Sequence, residues 1–166
     1  MKTLYVYICI FLLISFSGCA QTWLKEVSDY STSEGGYAGI IGKPMTSLRV
    51  SGGQPYRVHI LDGKWLPEVT GNDETDSKNG YAGKDGEKID GIAIKGTTYR
   101  VHILGGNWLS PVSEYDINDN KNGMAGILGK PIDAVMIEDR TYASAFINEN
   151  PNTNPTQKEV VRCVKK

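Results

Sequence analysis

The sequence predicts an all-β domain made of three copies of one unit of about 43 residues, and three observations lead there. The string YRVHILDGKWL at Tyr56 to Leu66 returns almost unchanged as YRVHILGGNWL at Tyr99 to Leu109. Short runs alternate apolar and polar residues, the period of a strand. Nothing after residue 20 sustains the helical period of about 3.6 residues.

Further markers keep the same spacing. YAG at Tyr37 to Gly39 recurs at Tyr81 to Gly83 and as MAG at Met124 to Gly126, and Trp23, Trp65 and Trp108 precede them. Started at the tryptophans, the units run over 23–64, 65–107 and 108–150, with the last YRVHI decayed to Tyr142-Ala143-Ser144-Ala145-Phe146. Within a unit, Met45, Leu48 and Val50 mark a first, half-buried strand, repeated at Ile89, Ile92, Ile94 and at Ile132, Val135, Ile137. Tyr56, Val58 and Ile60 point one way on a second strand while Arg57 and His59 point the other. Trp65 to Val69 reads as a third strand. Gly52-Gly53, Lys95-Gly96, Gly105-Gly106, Asn79-Gly80 and Asn122-Gly123 are the expected sources of the positive φ that tight hairpins need. One unit cannot bury its apolar face alone, whereas three around an axis can. A pseudo-threefold β-trefoil is therefore expected, with a β-prism as the alternative.

The 18 basic and 19 acidic residues nearly cancel, and no basic block exists to neutralise phosphates, which argues against a nucleic-acid partner. Residues 1–20 form an export signal: Lys2, an apolar run from Leu4 to Phe16, then Gly18, Cys19 and Ala20. That run is too short to cross about 30 Å of hydrocarbon, so no transmembrane segment is expected. Cleavage after Ala20 leaves a secreted, extracellular protein starting at Gln21. Cleavage before Cys19, through the lipobox-like Phe16-Ser17-Gly18-Cys19, leaves a lipid-anchored lipoprotein instead. The repeat domain spans 21–150 and a polar tail spans 151–166. In that tail Cys163 is either a free thiol or the source of an intermolecular disulfide linking a dimer.

YRVHILGGNWL, the Asn-rich YDINDNKNG and MAGILGKPIDAVMI together resemble the C-terminal repeats of some clostridial cell-wall amidases and lysozyme-type hydrolases. More distantly they are similar to tryptophan-containing repeats of clostridial surface proteins. The resemblance covers Trp23 to Phe146 and implies an attachment module whose partner is a cell-wall glycan. The residues themselves offer compatible chemistry. Trp23, Trp65 and Trp108 can stack on the apolar faces of sugars, or else plug the core of their units. Arg57 with His59, and Arg100 with His102, offer polar edges for hydroxyls or a carboxylate, or else form a solvated strand face. Asp76 and Asp119 sit in Asn-rich loops that could bind hydroxyls, although Asx turns explain their composition equally well.

The loops lack the glycine and bidentate glutamate of an EF-hand, and no HExxH, GxSxG or P-loop is present, so neither a metal, a cofactor nor an enzyme is expected. The expectation is a secreted, non-catalytic binder of polysaccharide or another cell-surface ligand. The alternative is a venom-type toxin acting on a host surface.

Overall fold

A computed structural model describes residues 23–27, 30–33, 35–138 and 143–147 of the 166-residue chain. Residues 1–20 with Cys19, expected to be an export signal, the tail with Cys163, and Tyr142 lie outside the described residues. The described chain is all-β, in several small antiparallel sheets, with no helix. No helix long and apolar enough to cross a membrane occurs among the described residues.

Each unit supplies one two-residue strand and two longer ones. The first contributes β1 (Ala38–Gly39), β2 (Met45–Val50) and β3 (Tyr56–Ile60). The second contributes β4 (Ala82–Gly83), β5 (Ile89–Ile94) and β6 (Tyr99–Ile103). The third contributes β7 (Ala125–Gly126), β8 (Ile132–Ile137) and β9 (Ala143–Ile147). Their pairing is cyclic: the sheets run β4-β2-β9, β7-β5-β3 and β1-β8-β6, so every sheet takes one strand from each unit. The predicted third strand is present only as isolated bridges. Val69 bridges to Tyr56 and Trp65 to His59, and Val112 and Trp108 bridge in the same way to Tyr99 and His102. The N-terminal segment completes the pattern, because Leu24 donates to the Ala145 carbonyl and Val27 bridges to Ala143.

The register corrects the sequence alignment of the third unit. Tyr56 faces Ile94 and Tyr99 faces Ile137, but it is Ala143 that faces the equivalent Val50. The strand equivalent to YRVHI is thus Ala143-Ser144-Ala145-Phe146-Ile147, one residue later than the spacing suggested. The connection over 138–142 is one residue longer than that over 95–98, and this accounts for the shift.

Each sheet also carries one irregularity at the same place. Register slips between His59 and Ile60 opposite β5, between His102 and Ile103 opposite β8, and between Met45 and Ser47 on β2. The residue left over is Asp90, Asp133 or Thr46. Such a bulge re-aims a side chain that regular alternation would send elsewhere.

The core draws on all three units: Met45, Leu48 and Val50, Ile89, Ile92 and Ile94, Ile132 and Val135, with Tyr56 and Tyr99. β3 alternates buried with half-buried positions as expected. β5 and β8 do not, being buried at all six positions each. Their outer face is covered too, since Trp65 and Met124 lie across Gly91. The glycines divide into two kinds. Gly52, Gly53, Gly96 and Gly105 do supply positive φ in turns. Gly80 and Gly123 do not; a Cβ there would fall 1.9 Å from the Asp73 carbonyl oxygen and 2.2 Å from that of Asp116, so close approach is what demands glycine.

The glycine of each YAG motif meets both demands. Gly126 has φ +139° and an added Cβ would lie 2.2 Å from the Asp90 carbonyl oxygen, and Gly39 stands in the same relation to Asp133. Gly126→Ala is expected to cost about 3 kcal/mol or more, because left-handed backbone strain adds to a clash with immovable main chain. Gly96→Ala, with φ +77° and open space around it, should cost only about 1 kcal/mol. Urea unfolding of the two variants measures the difference.

The buried tyrosines give the fold a pH signature. The Tyr56 hydroxyl donates to the Gly71 carbonyl at 2.8 Å, and burial pushes its pKa up from 10.0 to about 12. Burial raises Tyr99 as well, its hydroxyl donating to the Ile92 carbonyl. Because the fold favours the neutral phenol, this stabilisation is complete below the ordinary value and is lost as pH climbs through the raised one. In an absorbance titration at about pH 11, Tyr56 and Tyr99 should stay protonated while the chain remains folded.

Candidate functional site

The sequence-predicted residues come together in two places, Trp65 with His59 and Trp108 with Arg100 and His102, while Trp23 meets Tyr81 and Arg49 instead and Arg57 is engaged by Tyr115 and Glu68. All three tryptophans are half-buried, neither fully plugged into the core nor free. Each is delivered by the short segment that bridges to the last strand of its sheet. Each packs edge-on against a ring: Trp23 on Tyr81 at 5.3 Å between centroids, Trp108 on Tyr37 at 5.6 Å and His102 at 5.3 Å, Trp65 on His59 at 5.4 Å. Where the other units offer Tyr37 and Tyr81, the third offers Met124, whose methyl meets Trp65 above Gly91. Such perpendicular contacts suit the ring quadrupoles and leave part of each indole uncovered.

Beneath two of the tryptophans lies a hydrogen-bonded His–Asp pair that the sequence reading missed. His59 Nδ1 stands 2.6 Å from Asp90 Oδ1, and His102 Nδ1 stands 2.7 Å from Asp133 Oδ1. Both carboxylates are fully buried. Each second oxygen accepts a backbone N–H from a turn, Gly129 for Asp90 at 2.7 Å and Gly42 for Asp133 at 2.8 Å. A carboxylate is an acceptor only, so Nδ1 donates and the imidazole is held in one orientation against its tryptophan. The bulge makes this contact by turning Asp90 and Asp133 toward the histidines. In the third sheet the registers place Phe146 and Thr46 at the equivalent positions, so both partners of the pair are replaced together. Ile89-Asp90 and Ile132-Asp133 recur where the first unit has Met45-Thr46, but which histidine faces which aspartate is set by strand pairing between units and carries no local signal.

The arginines differ in their surroundings. Arg57 donates from Nε to the Tyr115 hydroxyl at 2.8 Å and reaches Glu68 at 3.3 Å, with the Tyr115 ring 5.3 Å from its guanidinium. The hydrogen bond from Tyr115 first, opposed by burial and then helped by Arg57, holds the Glu68 carboxyl below its ordinary value. Arg49, not singled out in the sequence, lies 4.8 Å from the Trp23 ring and pairs with Glu26 and Glu74 at 3.6 and 3.7 Å. Arg100 stands 5.5 Å from Trp108 and 5.3 Å from Tyr30.

Asp76 and Asp119 are tied into their own loops. Asp76 Oδ1 accepts the N–H groups of Lys78 and Asn79, and Asp119 Oδ1 accepts those of Lys121 and Asn122. The Lys121 N–H is the main cause holding the Asp119 carboxyl below its usual range. These are Asx turns. Among the described residues, no group of three or more His, Cys, Asp or Glu is placed to hold a metal ion. The chain matches no family model, and no curated protein or solved structure is detectably similar to it.

The pair should behave as a unit. Asp90→Thr alone leaves the His59 Nδ1 and the Gly129 N–H without a partner and is expected to cost about 3 kcal/mol. Adding His59→Phe, which copies the third sheet, should recover a large part of that loss, and a double-mutant cycle by chemical denaturation measures the coupling.

Proposed function

We propose that the protein is a secreted, non-catalytic binding protein that recognises polysaccharide, of the bacterial cell-wall kind, through aromatic shelves on its three sheets. The observation that carries this reading is the repeated placement of a half-buried tryptophan beside a second ring or histidine, with an arginine against two of the three indoles. An indole edge left uncovered, next to fixed donors, suits a ring that has one apolar face and a rim of hydroxyls. Similar shelves on separate sheets suit a polymer, since joint engagement raises avidity above that of any single shelf. The resemblance of the repeat to wall-attachment repeats points the same way.

The cyclic exchange of strands supports a pseudo-threefold architecture. Three separate three-stranded sheets around a shared core favour the β-prism over the β-trefoil. In this reading the His–Asp pairs are positioning devices for the shelves.

Sedimentation with insoluble peptidoglycan and a panel of wall polysaccharides tests the proposal. The protein should co-sediment, and Trp65→Ala or Trp108→Ala should each weaken retention by about tenfold or more through lost avidity. Failure to bind any wall fraction, or unchanged retention in both variants, would overturn it.

A further inference from the structure

The three shelves are alike in their rings but not in their charge, and the repeat supplies its own comparison. In the segment that carries each tryptophan, the fourth residue is Glu26 after Trp23, Glu68 after Trp65 and Pro111 after Trp108. Glu26 meets Arg49, and Glu68 meets Arg57. A carboxylate of the chain itself thus neutralises Arg49, which lies over the Trp23 ring, and Arg57, the counterpart of Arg100 on β3.

At the third tryptophan that carboxylate is missing. Among the described residues no carboxylate lies within ion-pairing distance of Arg100, and its one recorded side-chain partner is the Met136 sulfur at 3.6 Å, a weak acceptor. Its Nε is buried with no partner at all. The same is true of Arg49 Nε, but there the terminal nitrogens face Glu26 and Glu74. Among the described residues, the Met136 sulfur and the rings of Trp108 and Tyr30 stand around Arg100. A guanidinium in such surroundings keeps its planar fork of donors available to an anion.

We infer that the Trp108 shelf is the selective site of the molecule and takes a saccharide bearing a carboxylate, which docks on Arg100 where Glu68 docks on Arg57. The carboxylate class follows from the repeat, because the group that docks on the equivalent Arg57 is the Glu68 side chain, and Glu26, at the same position after Trp23, likewise meets an arginine, Arg49. The sugar ring then lies along Trp108. The Trp65 and Trp23 shelves, already neutralised, bind neutral rings. This inference rests on the glycan-binding reading and adds a charge preference confined to one shelf.

Two probes of equal size test it: a galacturonic acid trimer and the galactose trimer obtained by reducing its carboxyls. With the intact protein, the indole N–H signals of the three tryptophans are followed by NMR. The acidic trimer should shift the Trp108 signal and bind about tenfold or more tighter than the neutral one. Arg100→Gln should abolish that preference. Pro111→Glu, at an exposed position that leaves the core untouched, should abolish it as well by installing the missing carboxylate. Equal affinity for both trimers, a shift centred on Trp23 or Trp65, or an undiminished preference in the two variants would overturn the inference. Equal affinity would leave the glycan reading standing, whereas no shift with either trimer would bring down both.

Discussion

The structure depends on one constraint: among the described residues, no strand pairs with another strand of its own unit. β2 is flanked by β4 and β9, β5 by β7 and β3, and β8 by β1 and β6, so each hydrogen-bonded ladder joins different copies of the repeat. An isolated unit would leave every strand with two open edges and its apolar face in water, which neither backbone polar groups nor Leu and Ile side chains tolerate. The three copies therefore stand or fall together. Most of the stabilising contacts also join residues far apart in sequence, a topology that favours slow, cooperative assembly.

The functional geometry inherits this constraint. His59 and Asp90 come from different units, as do His102 and Asp133, and Trp108 meets a tyrosine contributed by the first copy. The shelves lie at seams between units, so they exist only in the assembled molecule. Because all three copies contribute to each sheet, divergence at any one changes a whole shelf. Where β9 and β2 meet, loss of histidine and loss of aspartate accompany each other, and Arg49 takes over the space beside Trp23. Seam by seam, the chain has kept the aromatic platform while redistributing charge around it.

Much of this was readable from the residues. The repeat, the strand positions, the inward tyrosines of YRVHI and the half-exposed Arg57, His59 and Arg100 follow from periodicity, whereas His102 is buried against that expectation. What escaped was whatever depends on a partner strand. The bulge at Asp90 cannot be seen in Ile89-Asp90-Gly91, because a bulge is defined by the strand opposite. For the same reason alternation wrongly marked β5 as half-buried, its second face being covered by residues of neighbouring copies. The one-residue error in β9 came from matching Tyr142 to Tyr56 by letter, when hydrogen-bond register matches Ala143. Asn79-Gly80 and Asn122-Gly123 look like hairpin turns, yet the glycines are there to let main chain pass close to main chain.

The seating of residues 23–27 beside β9 has a topological meaning. After β3 and after β6 the chain runs through four residues, 61–64 and 104–107, before reaching the next tryptophan. After β9 that tryptophan is Trp23, at the other extremity of the fold, so the covalent break falls inside what would otherwise be an ordinary linker. The folded body is in effect a closed loop that the gene happens to open at this seam. A circular permutant that joins Ile147 to Trp23 through a short linker and starts instead within the glycine turn at Gly52-Gly53 would keep every ladder, both His–Asp pairs and all three aromatic shelves.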